Sequence, residues 1–445
     1  MDNNFSKNFK QAIQNQDPCE IVYVLLQIKL ALVSLNELDE TSVELGLTEL
    51  IKGRHNNRSH TEMATLKATE TKNRLKDEVH RFAKSNDLYT DLFDNLDAKM
   101  IVSLTTIALT TDNLSLELRK FMDDNPRRTG VNFTPVVIRR LMQSVLLNLT
   151  SDKEQTSLLD PLSRTGDLVF SWPPLPFSKI GLNSDTQLER EVAKLFWNVV
   201  MLDQHDLQSN EPNIVQQTVT TTPVKLLQNH KPKKEKYDAV LSSIASSTGT
   251  VNHDTRKAKT HSTAWVEAIL EILNDNGVAV LLIEDGFFHR TTFDYEFREQ
   301  LVKKDLVEMI IALPANLYFK NAHFNASILV INKNKPVHAK NKVKLFHLHE
   351  LKNLKLDEIE KLAAFTSHAE AHHSKKLPPN LINEIASITV STQQISQNSF
   401  SLRPFDYLQI QSTSGTLNLN AEIDKLDTIR QEWQSLEQDF RQSIE

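Results

Sequence analysis

The sequence predicts an α/β protein in which a doubly wound, mainly parallel sheet follows a helical N-terminal region and precedes a C-terminal amphipathic helix. Residues 1–150 have apolar residues at mixed spacings of three and four, which is typical of helices. From residue 156, short β-rich runs alternate with helical patterns, as in a parallel sheet with crossover helices. Residues 417–440 place one apolar stripe along a single long helix.

Composition places the chain among ordinary globular proteins, since 40% of its 445 residues are hydrophobic and 24% are charged. The formal net charge of −6 excludes a generally basic nucleic-acid coat, although a local basic patch can still bind phosphate. One cysteine, Cys19, excludes an internal disulfide framework and fits a reducing compartment. The first ten residues lack the apolar segment of a secretory signal, so we expect a cytoplasmic protein without a membrane anchor.

The N-terminal region is predicted to form a helical domain over residues 1–125. Its most apolar run, residues 21–33, includes Gln27 and Lys29 and is too short to span a bilayer, so it predicts a buried helix. Cys19 lies beside this run, and we expect it to be buried rather than reactive.

Residues 126–345 are predicted to form the α/β domain. Its β-rich runs are residues 156–160, 237–243, 278–284, 306–314 and 327–333. The pattern at 262–277 predicts a helix that ends at Gly277. Residues 204–236 are rich in Gln, Thr and Asn and predict a long loop insert. Residues 346–445 are predicted to be helix and loop, ending in the long helix.

The stretch "DPLSRTGDL" (160–168) lies where a parallel α/β protein turns from its first strand into its first helix. Cofactor turns at this point use glycine because the backbone must approach the ligand or adopt positive φ. This turn has a single glycine, Gly166. The whole chain is poor in glycine, with 9 in 445 residues, which is about 2% against a usual ~7%. The residues alone leave open a cofactor loop, a former cofactor loop and an ordinary turn.

Five stretches resemble, in order, the modification (M) subunit of type I restriction–modification systems, a family of N6-adenine DNA methyltransferases with a Rossmann-like fold. They are "RTGVNFTPVVIRRLM" (128–142), "LLDPLSRTGDL" (158–168), "YDAVLSSIAS" (237–246), "LLIEDGFFHR" (281–290) with "EMIIALPANLYFKNAHFNASILVINKNK" (308–335), and "SFSLRPFDYL" (399–408). The resemblance covers roughly residues 110–440. It implies a site for S-adenosylmethionine and a site for a flipped adenine.

At the implied cofactor site the sequence departs from the family's D-P-A-C-G-S-G-G-F motif. Asp160, Pro161 and Gly166 are retained, whereas Arg164 and Asp167 replace glycines. The arginine adds bulk and positive charge where a sulfonium cation would bind. Two interpretations stay open: a solvated turn with Arg164 pointing outward, or an altered site that still works.

The implied ribose-binding carboxylate after the second strand is replaced by Asn183, and Asp185 could substitute only if the loop is rearranged. We therefore expect no bound cofactor. S-Adenosylmethionine remains the cofactor if the alternative of an active enzyme holds.

The implied catalytic motif N-P-P-F becomes Ser243, Ile244, Ala245 and Ser246. In the family, the asparagine oxygen and a proline carbonyl accept hydrogen bonds from the N6 amino group, and the aromatic ring stacks on the flipped base. Each lost hydrogen bond costs about 1–3 kcal/mol. The sequence therefore predicts a degenerate motif without catalytic residues.

The remaining polar clusters are weaker candidates. Lys231, Lys233, Lys234 and Lys236 could contact DNA phosphates or form only a solvated loop, and "RKAK" (256–259) has the same alternatives. His368, His372 and His373 include a pair spaced by four residues, but they lack an evident third ligand, so no metal site is expected.

These observations favour a catalytically degenerate methyltransferase-like subunit that binds DNA or a partner in a bacterial restriction–modification or phage-defence complex. The expected partners are DNA and a specificity-type subunit, or another subunit of a defence complex, in a hetero-oligomer or homodimer. One alternative is an active adenine-specific DNA methyltransferase with unusual motifs. The other is a structural interaction protein that does not bind nucleic acid.

The C-terminal stripe generates a prediction about partner binding. We expect it to pack on a partner helix, with packing on its own domain as the alternative. Large aromatic residues usually dominate such interfaces. The contact residues on the stripe are Leu426, Ile429, Trp433, Leu436 and Phe440.

Deletion of residues 416–445 should abolish the oligomer or the partner interaction in a pull-down while leaving the melting temperature unchanged. If the truncated protein aggregates or melts much earlier, the helix belongs to the core.

Overall fold

The computed structural model describes residues 18–38, 69, 72–73, 75–81, 83–84, 90–110, 114, 118, 134–151, 157–163, 166, 168–169, 175–184, 187–202, 213–218, 236–244, 260–291, 294–315, 325–349, 356–367 and 384–408. The predicted C-terminal helix therefore lies outside the described residues. The chain divides into two compact units, Met1–Pro404 and Phe405–Glu445, and the fold below is that of the first.

A sheet of nine strands forms the centre of this unit. In chain order the strands are β1 (Ser157–Asp160), β2 (Lys179–Ser184), β3 (Asn213–Thr218), β4 (Tyr237–Ser243), β5 (Leu273–Glu284), β6 (Val307–Ala312), β7 (Ala326–Asn332), β8 (Lys342–Leu348) and β9 (Ile385–Ser391). Their order across the sheet is β3-β2-β1-β4-β5-β7-β6-β8-β9. All strands run parallel except β7 and β9, which are antiparallel to their neighbours. The predicted mainly parallel α/β sheet is confirmed.

Helices in the described part of the chain precede the sheet, connect its strands or, in the case of the last one, follow its final strand. They are α1 (Pro18–Leu38), α2 (Asp91–Asn95), α3 (Ala98–Thr110), α4 (Val136–Thr150), α5 (Gln187–Leu202), α6 (His261–Ile272), α7 (Tyr295–Lys303), α8 (Leu356–Ser367) and α9 (Thr392–Gln397). None of these helices is long and apolar enough to cross a lipid bilayer.

The core forms because the central strands are apolar on both faces, as parallel strands covered by helices must be. Every residue of β6 and β7 is buried. Helix α4 packs against β4 and β5, and α8 packs against α4. Helix α1 packs against α5, where the Tyr23 hydroxyl donates a 2.5 Å hydrogen bond to the buried carboxylate of Glu191. The boundary of a separate helical domain at residue 125 stays a prediction.

Two edge strands correct the sequence expectations. The insert at 204–236 was expected to be a loop, yet it contributes β3, which pairs along its full length with β2. The region after residue 345 was expected to be helix and loop, yet it contributes β9, which pairs with β8. Because β3 lies at the edge of the sheet, a polar segment can form it with backbone hydrogen bonds to a single neighbouring strand.

The helix expected to end at Gly277 ends at Ile272, and Gly277 lies inside β5. A Cβ atom at Gly277 would lie 2.6 Å from Cγ of Leu273, so the glycine permits a close approach within the strand rather than a helix cap. The register between β4 and β5 shifts at this point, between the pairs Tyr237–Leu273 and Ala239–Val278. A local bulge of this kind leaves no signal in hydrophobic spacing.

The chain order creates a switch point between β1 and β4. From β1 the chain adds β2 and β3 on one side, then returns to place β4 on the other side. Crossover helices leave in opposite directions there, which opens a crevice at the carboxyl ends of the strands. Functional residues are therefore expected after β1, β2, β4 and β5.

At the amino ends of the strands, the carboxylate of Asp238 joins three segments. It accepts hydrogen bonds from the backbone N–H and the hydroxyl of Ser157, at 3.0 and 2.9 Å, and from the amide of Asn274 at 2.5 Å. The Asp238→Ala variant should lose about 1–3 kcal/mol of unfolding free energy, because partly buried donors lose their acceptor. Urea denaturation measures this loss.

The matched control is Asp275→Ala at the same end of the sheet. The Asp275 side chain is 93% exposed, and its ion pair with Lys236 spans 3.6 Å, so its removal should change stability very little. Equal losses in the two variants would contradict the structural role of Asp238.

The first turn of α6 contains His261, whose ring accepts a hydrogen bond. The indole N–H of buried Trp265 donates to Nε2 of His261 at 2.7 Å, which places the proton of the neutral ring on Nδ1. Burial lowers the pKa of His261, and the Glu284 carboxylate opposes this only in part. The folded state therefore favours the uncharged ring.

The pH dependence of stability follows from this pKa. Since the folded pKa lies below the unfolded value of about 6.5, the stabilisation is complete above that pH and is lost as the pH falls through the folded pKa. The His261→Gln variant keeps an acceptor for Trp265. When the pH falls from 7.5 to 5.5, its free energy of unfolding, measured by urea denaturation, should decrease less than that of the wild type. Burial also lowers the pKa of His347, but this histidine is present in both proteins and so does not affect their difference. A difference in stability that stays constant across this range would refute the prediction.

Candidate functional site

Asp160 lies at the carboxyl end of β1, where the switch point places the candidate site. Its side chain is fully buried. Its Oδ1 atom accepts a hydrogen bond from the backbone N–H of Leu162 at 3.1 Å and another from the hydroxyl of Ser242 on β4 at 3.0 Å. One carboxylate thus fixes the start of the turn and joins the two strands that flank the crevice.

The turn after β1 is closed by hydrogen bonds within the protein. The backbone N–H and the hydroxyl of Ser163 both donate to the carbonyl of Asn183, at 3.0 and 2.8 Å. The N–H of Gly166 donates to the Ser163 carbonyl at 2.6 Å, and Gly166 has a φ of 78°, which favours glycine. The backbone donors of residues 162, 163 and 166 are therefore used internally. Arg164 and Asp167 lie outside the described residues.

Asn183 occupies the position that the resemblance assigns to the ribose-binding carboxylate. It lies in β2 next to the turn and is 2% exposed. Its Nδ2 atom is buried and makes no hydrogen bond to any described residue. An amide offers one acceptor oxygen without a negative charge, whereas a carboxylate offers two. Asp185, the possible substitute, lies outside the described residues.

The start of the stretch at 243–246, where the resemblance places the catalytic motif, continues the β-ladder. Ser243 pairs with Leu282 of β5, and the N–H of Ile244 donates to the Leu282 carbonyl at 2.9 Å. Proline has no such N–H, so this position uses a group that the family's motif lacks. The side chain of Ile244 is 1% exposed and belongs to the core. Ala245 and Ser246 lie outside the described residues.

Beside these residues, the carboxyl end of β5 carries an ion-pair cluster that the sequence analysis did not identify. Nη1 of Arg290 lies 2.5 Å from Oε1 of Glu284 and 3.7 Å from Oδ2 of Asp294. The Glu284 hydrogen bond raises the pKa of Arg290, and Asp294 is fully buried. Asp294 accepts hydrogen bonds from the hydroxyls of Thr260 and Thr263 in the first turn of α6. The two threonines lie 34 and 31 residues from Asp294 in sequence, so hydrophobic spacing gives no signal for the whole cluster.

The cluster makes this edge acidic rather than basic. Glu284 and Asp294 share the single guanidinium of Arg290, and the low pKa of His261 keeps that ring neutral near pH 7. Such an arrangement orients protein groups tightly but offers little attraction for phosphate.

The basic candidates lie elsewhere. Lys236 directly precedes β4 and pairs with Asp275, so it lies at the amino edge of the sheet. The length of β4, at ~3.3 Å per residue, separates it by roughly 20 Å from Ser243. Lys231, Lys233 and Lys234 lie outside the described residues. A phosphate contact by Lys236 stays a prediction, at the edge opposite to the crevice.

In the part of the chain that the structure describes, no three His, Cys, Asp or Glu side chains lie close enough together to bind a metal ion. The histidines at 368, 372 and 373 lie outside the described residues, as does the side chain of Cys19.

Comparison with known proteins gives a family similarity over part of the chain. Residues 216–415 match the model of the N-6 DNA methylase family. The methylase subunit of the type I restriction enzyme MjaVII from Methanocaldococcus jannaschii is 26% identical over 160 residues, which cover 36% of this chain and 24% of that protein. The methylase subunit of the type I restriction enzyme HindI from Haemophilus influenzae is 36% identical over 73 residues, 16% of each chain. The matches thus span a quarter or less of these relatives.

Solved structures extend the likeness of fold over most of the chain. The methyltransferase subunit of a type I restriction–modification system from Streptococcus thermophilus has a TM-score of 0.62 at 15% identity, covering 91% of this chain and 98% of that one. A chain of another type I restriction–modification system has a TM-score of 0.58 at 12% identity, covering 98% and 96%. Residues 216–415, less than half of the chain, are therefore similar to the N-6 DNA methylase family, and the chain resembles methylase subunits of type I restriction enzymes in sequence and a type I methyltransferase subunit in fold.

Proposed function

We propose that this chain is a methyltransferase-like subunit of a bacterial restriction–modification or phage-defence complex, and that it contributes DNA or partner binding without transferring a methyl group. The observation that supports this most directly is the hydrogen bond from the N–H of Ile244 to Leu282. It extends β4 through the position where the family has the first proline of its catalytic motif. The backbone that would shape an adenine pocket instead belongs to the sheet.

The residues after β1 and β2 also fit S-adenosylmethionine poorly. The turn uses the N–H groups of residues 162, 163 and 166 for its own closure. At the ribose position the buried Asn183 has no negative charge. We therefore expect no cofactor, and no step of the proposed function passes through one.

The partners follow from the kind of protein that this chain resembles. Its relatives are subunits of type I restriction enzymes, which supports assembly with a specificity-type subunit and with DNA. The predicted helix at 417–440 is the proposed docking element, in a hetero-oligomer or homodimer. Such a complex would act in the cytoplasm.

An active adenine-specific methyltransferase is the second candidate, because Asp160 and Gly166 retain their places in a well-formed turn. This function requires S-adenosylmethionine to bind despite Asn183 and the internal hydrogen bonds of the turn. It also requires adenine recognition through the unusual motif at 243–246.

Calorimetric titration with S-adenosylmethionine separates the two candidates. We expect no measurable binding and no transfer of radiolabelled methyl to DNA, even with partner subunits supplied. Asn183→Asp, which restores the carboxylate, should not restore methyl transfer because the motif at 243–246 is unchanged. A low-micromolar dissociation constant would contradict the expected loss of cofactor binding, and methylated adenine would establish the active enzyme.

DNA binding is tested separately, so that a purely structural role can be recognised. If the chain contacts phosphates, its affinity for duplex DNA should fall with rising salt, with a slope that reports the number of contacts. No binding at low salt, alone or with partners, would leave only the role of an interaction protein.

A further inference from the structure

The segment that follows α9, residues 398–402, is held in a costly conformation. Ser399 and Phe400 have φ values of 50° and 52°, in the left-handed region that side chains with a Cβ atom disfavour. The N–H of Phe400 nevertheless donates to the carbonyl of Ile395 at 2.9 Å, and Phe400 is only 5% exposed. Such strain persists only where the surroundings determine the backbone firmly. We call residues 398–402 the tail segment.

The main restraint on the tail segment is the buried guanidinium of Arg298 on α7, which is 1% exposed. Its Nε donates to the carbonyl of Phe400 at 3.0 Å. Its Nη1 donates to the carbonyl of Phe287, and its Nη2 to that of Arg290, both at 2.8 Å. One rigid planar group thus joins the tail segment to the residues that follow β5. A second link runs from the N–H of Leu402 to the carbonyl of Phe288 at 2.9 Å.

The residues that follow β5, 285–290, form what we call the edge segment. The backbone of Arg290 is fixed by Arg298, while its side chain pairs with Glu284 and Asp294. A Cβ atom at Gly286 would overlap this guanidinium, so the two are in close contact. Asp294 in turn holds the hydroxyl of Thr260, the N-cap of α6.

A continuous series of contacts therefore runs from the tail segment to the first turn of α6. Helix α6 is the element that follows β4 and the degenerate motif, so its N-terminus borders the crevice. The Thr260 hydroxyl also accepts the N–H of Thr263 at 3.2 Å, which makes that amide a reporter of the N-cap.

We propose that Arg298 is a positioning residue that couples the tail segment to the edge segment and, through Asp294, to the N-cap of α6. The chain beyond the tail segment leads to the predicted partner-binding helix. A partner that binds this helix would then alter the border of the crevice. That consequence rests on the proposed function, whereas the coupling itself does not.

Hydrogen exchange of the full chain, followed by mass spectrometry, tests the coupling. Arg298→Lys keeps the charge, but a compact ammonium cannot reach three divergent carbonyls in the same way. We expect exchange to quicken about tenfold at Leu402, at Arg290 and also at Thr263, which Arg298 does not touch. Faster exchange at Leu402 and Arg290 with an unchanged rate at Thr263 would overturn the proposal.

The Arg139→Lys variant on α4 is the control for general destabilisation. It changes another buried guanidinium, 4% exposed, that lies outside this series of contacts. It should leave the rates at Leu402 and Thr263 unchanged. In the Arg298→Lys variant, the amide of Ile310 in β6 should exchange as in the wild type. Equal acceleration at Ile310 and Thr263 would mean global unfolding and would refute the coupling.

A second variant acts in the opposite direction and does not risk misfolding. Ser399→Gly relieves the left-handed strain and should slow exchange about threefold at Leu402 and at Thr263 alike. Slower exchange confined to the tail segment would contradict the coupling. These measurements require neither DNA, a partner nor S-adenosylmethionine, so their failure is distinguishable from a failure of the proposed function.

Discussion

The carboxylate of Asp160 is the interaction on which the arrangement of the site depends. A parallel sheet leaves an open crevice wherever its strand order reverses, and the two flanking strands need a link at that point. Here one oxygen atom accepts from the turn backbone at Leu162 and from the Ser242 hydroxyl on the neighbouring strand. Because the group is buried, these bonds are strong and their loss would be costly. The link holds the crevice in shape whether or not a ligand ever enters it.

The hydrogen bonding in the rest of the crevice follows from the requirement that buried backbone N–H and C=O groups have hydrogen-bond partners. In this protein they find them within the chain. The turn closes on Asn183 and on its own Ser163 carbonyl, and Ile244 continues the ladder with Leu282. The hydrogen bonding of this fold is therefore satisfied by the backbone and by side chains that need take no part in chemistry, so the fold alone does not dictate what the site does.

After β5, the structure uses arginine to satisfy carbonyls and carboxylates. Arg298 donates to three carbonyls, and Arg290 pairs with the partly buried Glu284 and the buried Asp294. The planar fork of arginine suits both tasks because it donates in fixed, divergent directions. Residues 398–402 are thereby hydrogen-bonded to the residues that follow β5.

The sequence by itself determined the class of the fold, the buried strands from β4 to β7 and the family resemblance, because strand alternation and apolar runs are local properties. It also located Asp160, Gly166, Asn183, Ser243 and Ile244 at strand ends. Only the tertiary structure decided that polar residues 213–218 form an edge strand, that Gly277 lies inside β5, and that Lys236 faces the amino edge. It alone joined Thr260, Glu284, Arg290 and Asp294. Pairing at a sheet edge and the hydrogen bonds from Thr260 and Thr263 to Asp294 depend on long-range contacts, which leave no periodic pattern in the chain.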